Sequence, residues 1–388
     1  MRKAFKYRLF TNANQERELA ITLETHRRLY NECLAQRIEA FKLTGKTVKY
    51  TEQSGWFKTA KLINAFYARI NFSAAQATMR RLEKAYANFF RRVKAKATKA
   101  GFPRFKGRDF FDSFEFPSHG DGCRITGNRL RLQHIGTIRV KLHRPWQGDI
   151  KTLSIKREGG KWFVILSCDL GELNIPQRMH PQVGIDVGLS HFLTTSEGET
   201  VANPRFLKDE LPELRRLSRS LSRKKKGGSN RRKARKKVAK LHARVANLRK
   251  EHHHQVAVGL VRRFGLIATE SLNIQGMLRN RRLARAIADA GWSGFQQILR
   301  TKAESAGCQV LMVDPRGTSQ SCVCGAEVRK TLRDRWHDCP KCGLSQQRDH
   351  VSARIILARG LQARTEPAGV KPDASRVSRR SRRLQSAE

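Results

Sequence analysis

Val183-Gly184-Ile185-Asp186-Val187-Gly188-Leu189 is an apolar run that carries one carboxylate. Its β-branched residues, bounded by turn formers, read as a strand. Side chains alternate between the faces of a strand, so Ile185, Val187 and Leu189 point one way and Gly184, Asp186 and Gly188 the other. A core strand does not ordinarily carry an anion, because an unpaired buried charge is costly. The glycines on both sides of Asp186 leave room for a ligand to approach the sheet. A functional carboxylate is the expectation here.

Two further acids stand out as possible partners. Glu270 ends an apolar run over residues 266–269 that reads as a second strand, and Asp349 precedes a short helix expected from about 351 to 358. Singly, each has an ordinary explanation: a solvated strand end for Glu270, an N-cap for Asp349. Together with Asp186 they suit two-metal phosphodiester hydrolysis, in which carboxylates from separate elements hold two Mg²⁺ about 4 Å apart. Bare carboxylates would repel a polyanionic substrate, and the metals invert that local sign.

The rest of the chain is built for such a substrate. Lys and Arg number 79 against 33 Asp and Glu, a net charge of +46 over 388 residues. That charge needs a polyanion, and nucleic acid is the leading partner; an anionic membrane surface is the alternative. Hydrophobic residues at 39% are enough for buried cores, which excludes a disordered basic tail as the whole protein. No stretch reaches the roughly 18 apolar residues of a membrane helix. Residues 1–10 (MRKAFKYRLF) lack the uninterrupted apolar segment of a secretory signal. A cytoplasmic protein is expected.

Residues 214–250 contain no acid at all. Leu214, Leu217 and Leu221 line one amphipathic helix, and Val238, Leu241, Val245 and Leu248 a second. Gly227-Gly228-Ser229-Asn230 separates them, so a helical hairpin is expected. Arg223, Lys224, Lys225, Lys226, Arg231, Arg232, Lys233, Arg235, Lys236 and Lys237 cluster at its tip. Like charges at this density repel one another without a counter-anion, and a phosphate backbone is the natural one. Such contacts position a nucleic acid without reading its sequence. Gln76, with Asn71, is a candidate reader of a short DNA motif on the basic helices before residue 97.

Four of the eight cysteines lie close together. Cys339-Pro340-Lys341-Cys342-Gly343 is a two-residue-spaced pair, and Cys322-Val323-Cys324-Gly325 is a matching pair one residue shorter. Four thiolates from two such knuckles suit one structural Zn²⁺. The spacer 326–338 has the length of a hairpin, and His337 or Cys308 could replace a ligand. Cys33, Cys123 and Cys168 read as buried thiols in a reducing compartment.

Residues 3–10 alternate like a strand, 14–97 show helical spacing, and 101–107 (GFPRFKG) form a break. Residues 110–170 carry short β runs at 130–132, 137–142, 153–157 and 162–167, the last two joined at Gly159-Gly160. A further helix is expected over 283–306 and a strand over 310–313. Beyond Gly360 the composition is that of a disordered basic tail.

VGIDVGL around Asp186, IATESLNIQGM around Glu270, DPRGTSQSCVCG, HDCPKCG and RDHVSARIIL, in this order, resemble TnpB, the OrfB-type protein of bacterial insertion sequences. That family is related to the type V CRISPR effector nucleases. KYRLF, LYNECLAQR and GFPRFKG extend the resemblance over nearly the whole chain. It implies an α/β multidomain protein. An RNase H-like (RuvC) nuclease domain would span 181–315 and 345–360, with Asp186, Glu270 and Asp349 as its metal-binding triad. A zinc ribbon over 316–344 would carry Cys322, Cys324, Cys339 and Cys342. A wedge β-barrel would comprise 1–11 and 101–175, a helical recognition insertion 12–100, and a tail 361–388. The activity implied is RNA-guided DNA cleavage beside a short flanking motif, with guide RNA and target DNA as partners in a prokaryotic, nucleoid-associated setting. A guide-dependent repressor that does not cut, or a transposase joining DNA strands, are the alternatives. The family usually has Cys-x-x-Cys in the first knuckle, and its version of Gln346–Ala353 is more acidic.

Overall fold

A computed structural model of the chain describes residues 1–172, 175–331 and 334–365. Among these residues the chain divides into two compact units. The first holds residues 1–172 with Arg235–Ala243, and the second holds 175–234 with 244–365.

In the first unit, strand β1 (Arg2–Phe10) is followed by helices α1 (Ala13–Thr44), α2 (Tyr50–Ile63), α3 (Ala65–Ala68) and α4 (Phe72–Lys94). Six strands come next: β2 (Ser113–Phe116), β3 (Cys123–Thr126), β4 (Arg129–Leu132), β5 (Gly136–Lys141), β6 (Asp149–Glu158) and β7 (Lys161–Asp169). The sheet order is β2-β6-β7-β1-β5-β4-β3. The alternation in KAFKYRLF has a direct consequence. Phe5, Tyr7 and Leu9 are buried on one face of β1 while their neighbours are more exposed, and both edges of the strand are paired, to β5 and to β7. The helices start where side chains can satisfy free amides. Asn12 and Gln15 form a reciprocal capping box on α1, and the Asn71 Oδ1 accepts from the Ala74 amide at 3.0 Å at the start of α4. Ala75, Met79, Leu82 and Tyr86 then bury the face of α4 that their spacing marks out.

The second unit begins with β8 (Gln182–Val187), β9 (His191–Thr195) and β10 (Thr200–Ala202). Helices α5 (Phe206–Asp209), α6 (Leu211–Ser222) and α7 (Ser229–Arg263) lead to strand β11 (Leu266–Glu270). Then come α8 (Ile274–Met277), α9 (Ala284–Ala290), α10 (Trp292–Glu304), β12 (Gln309–Val313), the short strands β13 (Trp336–Asp338) and β14 (Ser345–Gln347), and α11 (Arg348–Thr365). The main sheet runs β10-β9-β8-β11-β12. Its first three strands are antiparallel, and β8, β11 and β12 are parallel. Parallel strands joined by helical crossovers are covered on both faces, and all five residues of β11 are buried. One face packs Val183, Ile185, Ile267, Leu260, Phe295 and Leu299 together; the other packs Ala268, Val313 and Ile356.

Four expectations are corrected. The helix foreseen over 283–306 is two helices, because Gly291 adopts φ +64 between α9 and α10 and turns the chain. The short helix foreseen from 351 starts three residues earlier and continues to Thr365, so Asp349 lies in its first turn, not before it. That helix takes in residues 361–365, whose composition alone places them in a disordered tail; the rest of that tail lies outside the described residues. Finally, the space beside Gly184 is not left for a ligand. A Cβ there would meet the Ala353 carbonyl oxygen at 2.0 Å and the Leu357 amide nitrogen at 2.8 Å, so α11 itself fills it.

Candidate active site and metal centre

Strand register brings the first two acids together. In the parallel pair of β8 and β11, Thr269 lies opposite Ile185. The same offset carried one residue further sets Glu270 alongside Asp186. Asp186 shares its strand face with Gly184, two residues before it, and that face is where α11 docks. On α11, Asp349 lies one turn before Ala353, the residue touching Gly184, and positions four apart share a helix face. Three elements distant in sequence therefore aim their carboxylates at one end of the sheet.

The electrostatics report the convergence. The Asp186 carboxyl is held well above the usual carboxylate range, first by burial and then by the negative charges of Glu270 and Asp349; Arg348 acts weakly against this. Glu270 is also pushed up by burial. A hydrogen bond from Thr318 and the charge of Arg359 oppose the rise, and Asp314 adds to it. Among the described residues, neither Asp186, Glu270 nor Asp349 has an ion-pair partner within 4.0 Å. The cluster thus lies near Arg348 and Arg359 but, among the described residues, is ion-paired with neither: three carboxylates gathered in a chain with a net charge of +46. That is the donor chemistry divalent Mg²⁺ takes: hard oxygen ligands around a doubly charged ion. Among the described residues the four cysteines, whose ligand atoms lie within 4.8 Å of one another, are the group of three or more gathered around a single point. Carboxylates flanking two ions about 4 Å apart are expected to be spread more widely than that.

Two residues near the acids carry no signal of their own in the sequence. Thr318 donates its hydroxyl proton to Glu270 Oε1 at 2.5 Å. Asp314 follows Val313, the residue of β12 paired with Glu270. Both lie in or beside DPRGTSQSCVCG, a stretch notable in sequence chiefly for its cysteines.

The cysteine centre is explicit. The Sγ atoms of Cys322, Cys324, Cys339 and Cys342 all lie within 4.8 Å of one another. Cys322 and Cys342 are 3.6 Å apart, and Cys324 and Cys339 3.7 Å. Ligands on a tetrahedral zinc with bonds of about 2.3 Å are about 3.8 Å apart, so the four thiols fit that ion. The amide of Cys342, with that of Lys341, points at the Cys339 sulfur and lowers its thiol to about 6. The one-residue knuckle closes without distortion of the set, since Gly325 takes φ +84 and its amide bonds the Cys322 carbonyl at 3.0 Å. Each knuckle sits in its own small hairpin: a bridge between Ser321 and Glu327 encloses the first, and the β13–β14 pair encloses the second. The hairpin expected in the spacer 326–338 is thus replaced by two shorter ones. His337 is not among the clustered ligand atoms, and its Nδ1 contacts Lys330 Nζ. Cys308 is bridged through the backbone to Arg178 and is not among the clustered thiols.

The basic hairpin forms from α6 and α7. Arg223, Lys224, Lys225, Lys226, Arg232, Lys233, Arg235, Lys236 and Lys237 are exposed. Arg235 pairs with Asp109. Arg231 is the exception, half-buried, with Nη1 donating to the carbonyls of Leu221 at 2.8 Å and Lys224 at 2.9 Å. It caps the end of α6, where carbonyls have no helical partner. In the first unit Gln76 donates to Ser54 Oγ at 3.1 Å, and the Asn71 amide nitrogen is taken up by Asp121 and Gln133.

Comparison with known proteins gives three matches to family models. They are described as "Probable transposase" (OrfB_IS605) over residues 174–281, "Cas12f1-like, TNB domain" over 292–356 and "Helix-turn-helix domain" over 1–46. The last span holds β1 and the single helix α1, not two helices about a turn. The chain is 32% identical, over 98% of its length and 95% of the relative, to the "Putative RNA-guided DNA endonuclease" of Streptomyces pristinaespiralis. It is 31% identical to "Putative RNA-guided DNA endonuclease InsQ" of Escherichia coli (strain K12), over 92% of each chain. The structure described as "Cryo-EM structure of the Cas12f1-sgRNA-target DNA complex" aligns over 92% of this chain and 99% of that one, at a TM-score of 0.35 and 16% identity.

Proposed function

The chain belongs to the TnpB (OrfB) family of insertion-sequence proteins, and from that premise we propose that it is an RNA-guided DNA endonuclease that cuts beside a short flanking motif by Mg²⁺-dependent phosphodiester hydrolysis. The observation that carries the chemical part is the meeting of Asp186, Glu270 and Asp349 at one sheet end, with none of the three in an ion pair among the described residues. Their carboxylates would hold two Mg²⁺. Ions bound there supply an activated water and stabilise the leaving oxygen. The chain's own contribution is to fix the three acids on rigid elements, two strands and a helix, so that their geometry is set before substrate arrives.

Residues 181–315 with 345–360 form the RuvC-like nuclease domain. An antiparallel meander followed by two parallel strands, with acids at the ends of β8 and β11, supports an RNase H-like sheet. Residues 316–344 form the ribbon around one structural Zn²⁺, 1–11 with 101–175 the wedge barrel, and 12–100 the recognition insertion. The exposed cations of α6 and α7 would neutralise guide or target phosphates, while base pairing would read sequence, as in other RNA-guided nucleases. No helix among the described residues is long and apolar enough to cross a membrane.

The test is reprogramming. The protein is purified with the RNA that accompanies it, the RNA is sequenced, and its guide segment is replaced. Cutting must move to DNA matching the new guide; cutting that ignores the guide, or none with any guide, removes this reading.

A further inference from the structure

We propose that Thr318 is a positioning residue for Glu270: its hydroxyl fixes one carboxylate oxygen and so sets how the other faces the divalent ions. This rests on the reading of Asp186, Glu270 and Asp349 as ligands. The Thr318 side chain is buried, at 4% exposure, and reaches Glu270 Oε1 at 2.5 Å; Glu270 is itself buried, at 8%. Pro315 O lies 3.0 Å from the same hydroxyl, which has one proton to give. The proton goes to the nearer acceptor, the carboxylate, since charge-assisted bonds are shorter and stronger.

The loop that presents Thr318 is held from two sides. Gln320 and Ser321 donate their amides to Gly317 O at 3.0 and 2.9 Å, which closes a turn around Thr318. From α11, Arg359 donates to Arg316 O at 2.5 Å and to Ser321 Oγ at 3.2 Å. The helix that carries Asp349 therefore also sets the residue that holds Glu270. The same loop runs directly into Cys322, the first of the clustered thiols. A threonine that only filled space would be replaceable by valine, its isostere. A positioning threonine is replaceable by serine alone.

The test uses the full chain, loaded with zinc and free of Mg²⁺, with Mn²⁺ as probe. Bound and free Mn²⁺ are separated by the electron paramagnetic resonance of the free ion, and thermal melting is followed in parallel. Thr318→Ser is expected to bind Mn²⁺ within about twofold of wild type. Thr318→Val is expected to bind it roughly tenfold more weakly, the usual cost of losing a group that orients a metal ligand, with little change in melting. Thr318→Ala serves as a second variant without the hydroxyl. Wild-type binding by Thr318→Val, equal loss in the serine and valine variants, or unfolding of both valine and alanine variants would each overturn the proposal. Asp186→Ala separates the two levels. If it binds Mn²⁺ as wild type does, the carboxylate site itself falls, and the role of Thr318 with it.

Discussion

A Cβ on Gly184 would lie 2.0 Å from the carbonyl oxygen of Ala353, so the strand bearing Asp186 and the helix bearing Asp349 meet backbone to backbone. No rotamer change can relieve that contact, because the obstacle is main chain. Gly184→Ala should force α11 off the sheet and cost about 3 kcal/mol, the upper end of overpacking penalties. Gly259, in α7 with open space around it, is the control. Gly259→Ala should instead stabilise by about 0.5–1 kcal/mol, the helix propensity difference. Thermal melting of the two variants checks both signs.

The first unit should carry a pH signature. His26 is fully buried, stacked on Phe114 with ring centroids 5.1 Å apart and bonded to Thr78 at 2.8 Å. Burial, with Arg81 nearby, pushes its imidazole down to about 3. An unfolded histidine titrates near 6.5. Above that pH the ring is neutral in both states and contributes no dependence. As the pH falls from about 6.5 toward 3, the unfolded chain takes up a proton that the folded chain refuses, and stability falls. The protection factors of the α1 amides, with the intrinsic pH dependence of exchange divided out, should therefore fall between pH 7 and 4, and His26→Gln should flatten that slope by about one proton.

Zinc should be present at one ion per chain and should depend on all four thiols. Elemental analysis of Cys324→Ser and Cys339→Ser should show its loss. Structural zinc sites contribute folding energy directly, so trypsin should then cut within 316–344 while the far-ultraviolet circular dichroism of the remainder persists. Retention of zinc by Cys324→Ser would point to a ligand other than the shorter knuckle.

Among the basic residues, Arg231 should separate from its neighbours. Lys224, Lys225 and Lys226 are exposed. Their joint replacement by alanine should lower the slope of log affinity against log salt by up to about 3, since each phosphate left unneutralised removes about 0.7–0.9. Arg231→Ala removes the hydrogen bonds to Leu221 and Lys224. It should loosen the turn, seen as faster amide exchange at 221–228, with a smaller change in salt slope.

What sequence reveals and what it hides divide along a physical line. Alternation in KAFKYRLF and VGIDVGL, the leucine spacing of α6 and the Gly-Gly-Ser-Asn break are local signals, and the strands, helices and turn they predict are present. The cysteine cluster is equally legible, because ligand spacing within each knuckle is short. Tertiary contacts are not. Nothing local says that Gly184 makes way for Ala353 or that Thr318 reaches back 48 residues to Glu270. In sequence Arg231 is one cation among ten, and only its acceptors set it apart. The first turn of α11, Arg348-Asp349-His350, is polar, so hydropathy places the helix start too late; the sheet it packs on sets the true one.

Asp186, Glu270 and Asp349 together should hold the ions that cut DNA. The direct measurement is cleavage of guide-matched DNA in Mg²⁺ by the protein–RNA complex, wild type against Asp186→Ala, with DNA binding followed in the same samples. Cleavage is expected from wild type and should fall by several orders of magnitude in the variant while guide-dependent binding persists. Equal cutting by both proteins would contradict the account, and binding without cleavage by the wild type would leave a guide-directed repressor in its place.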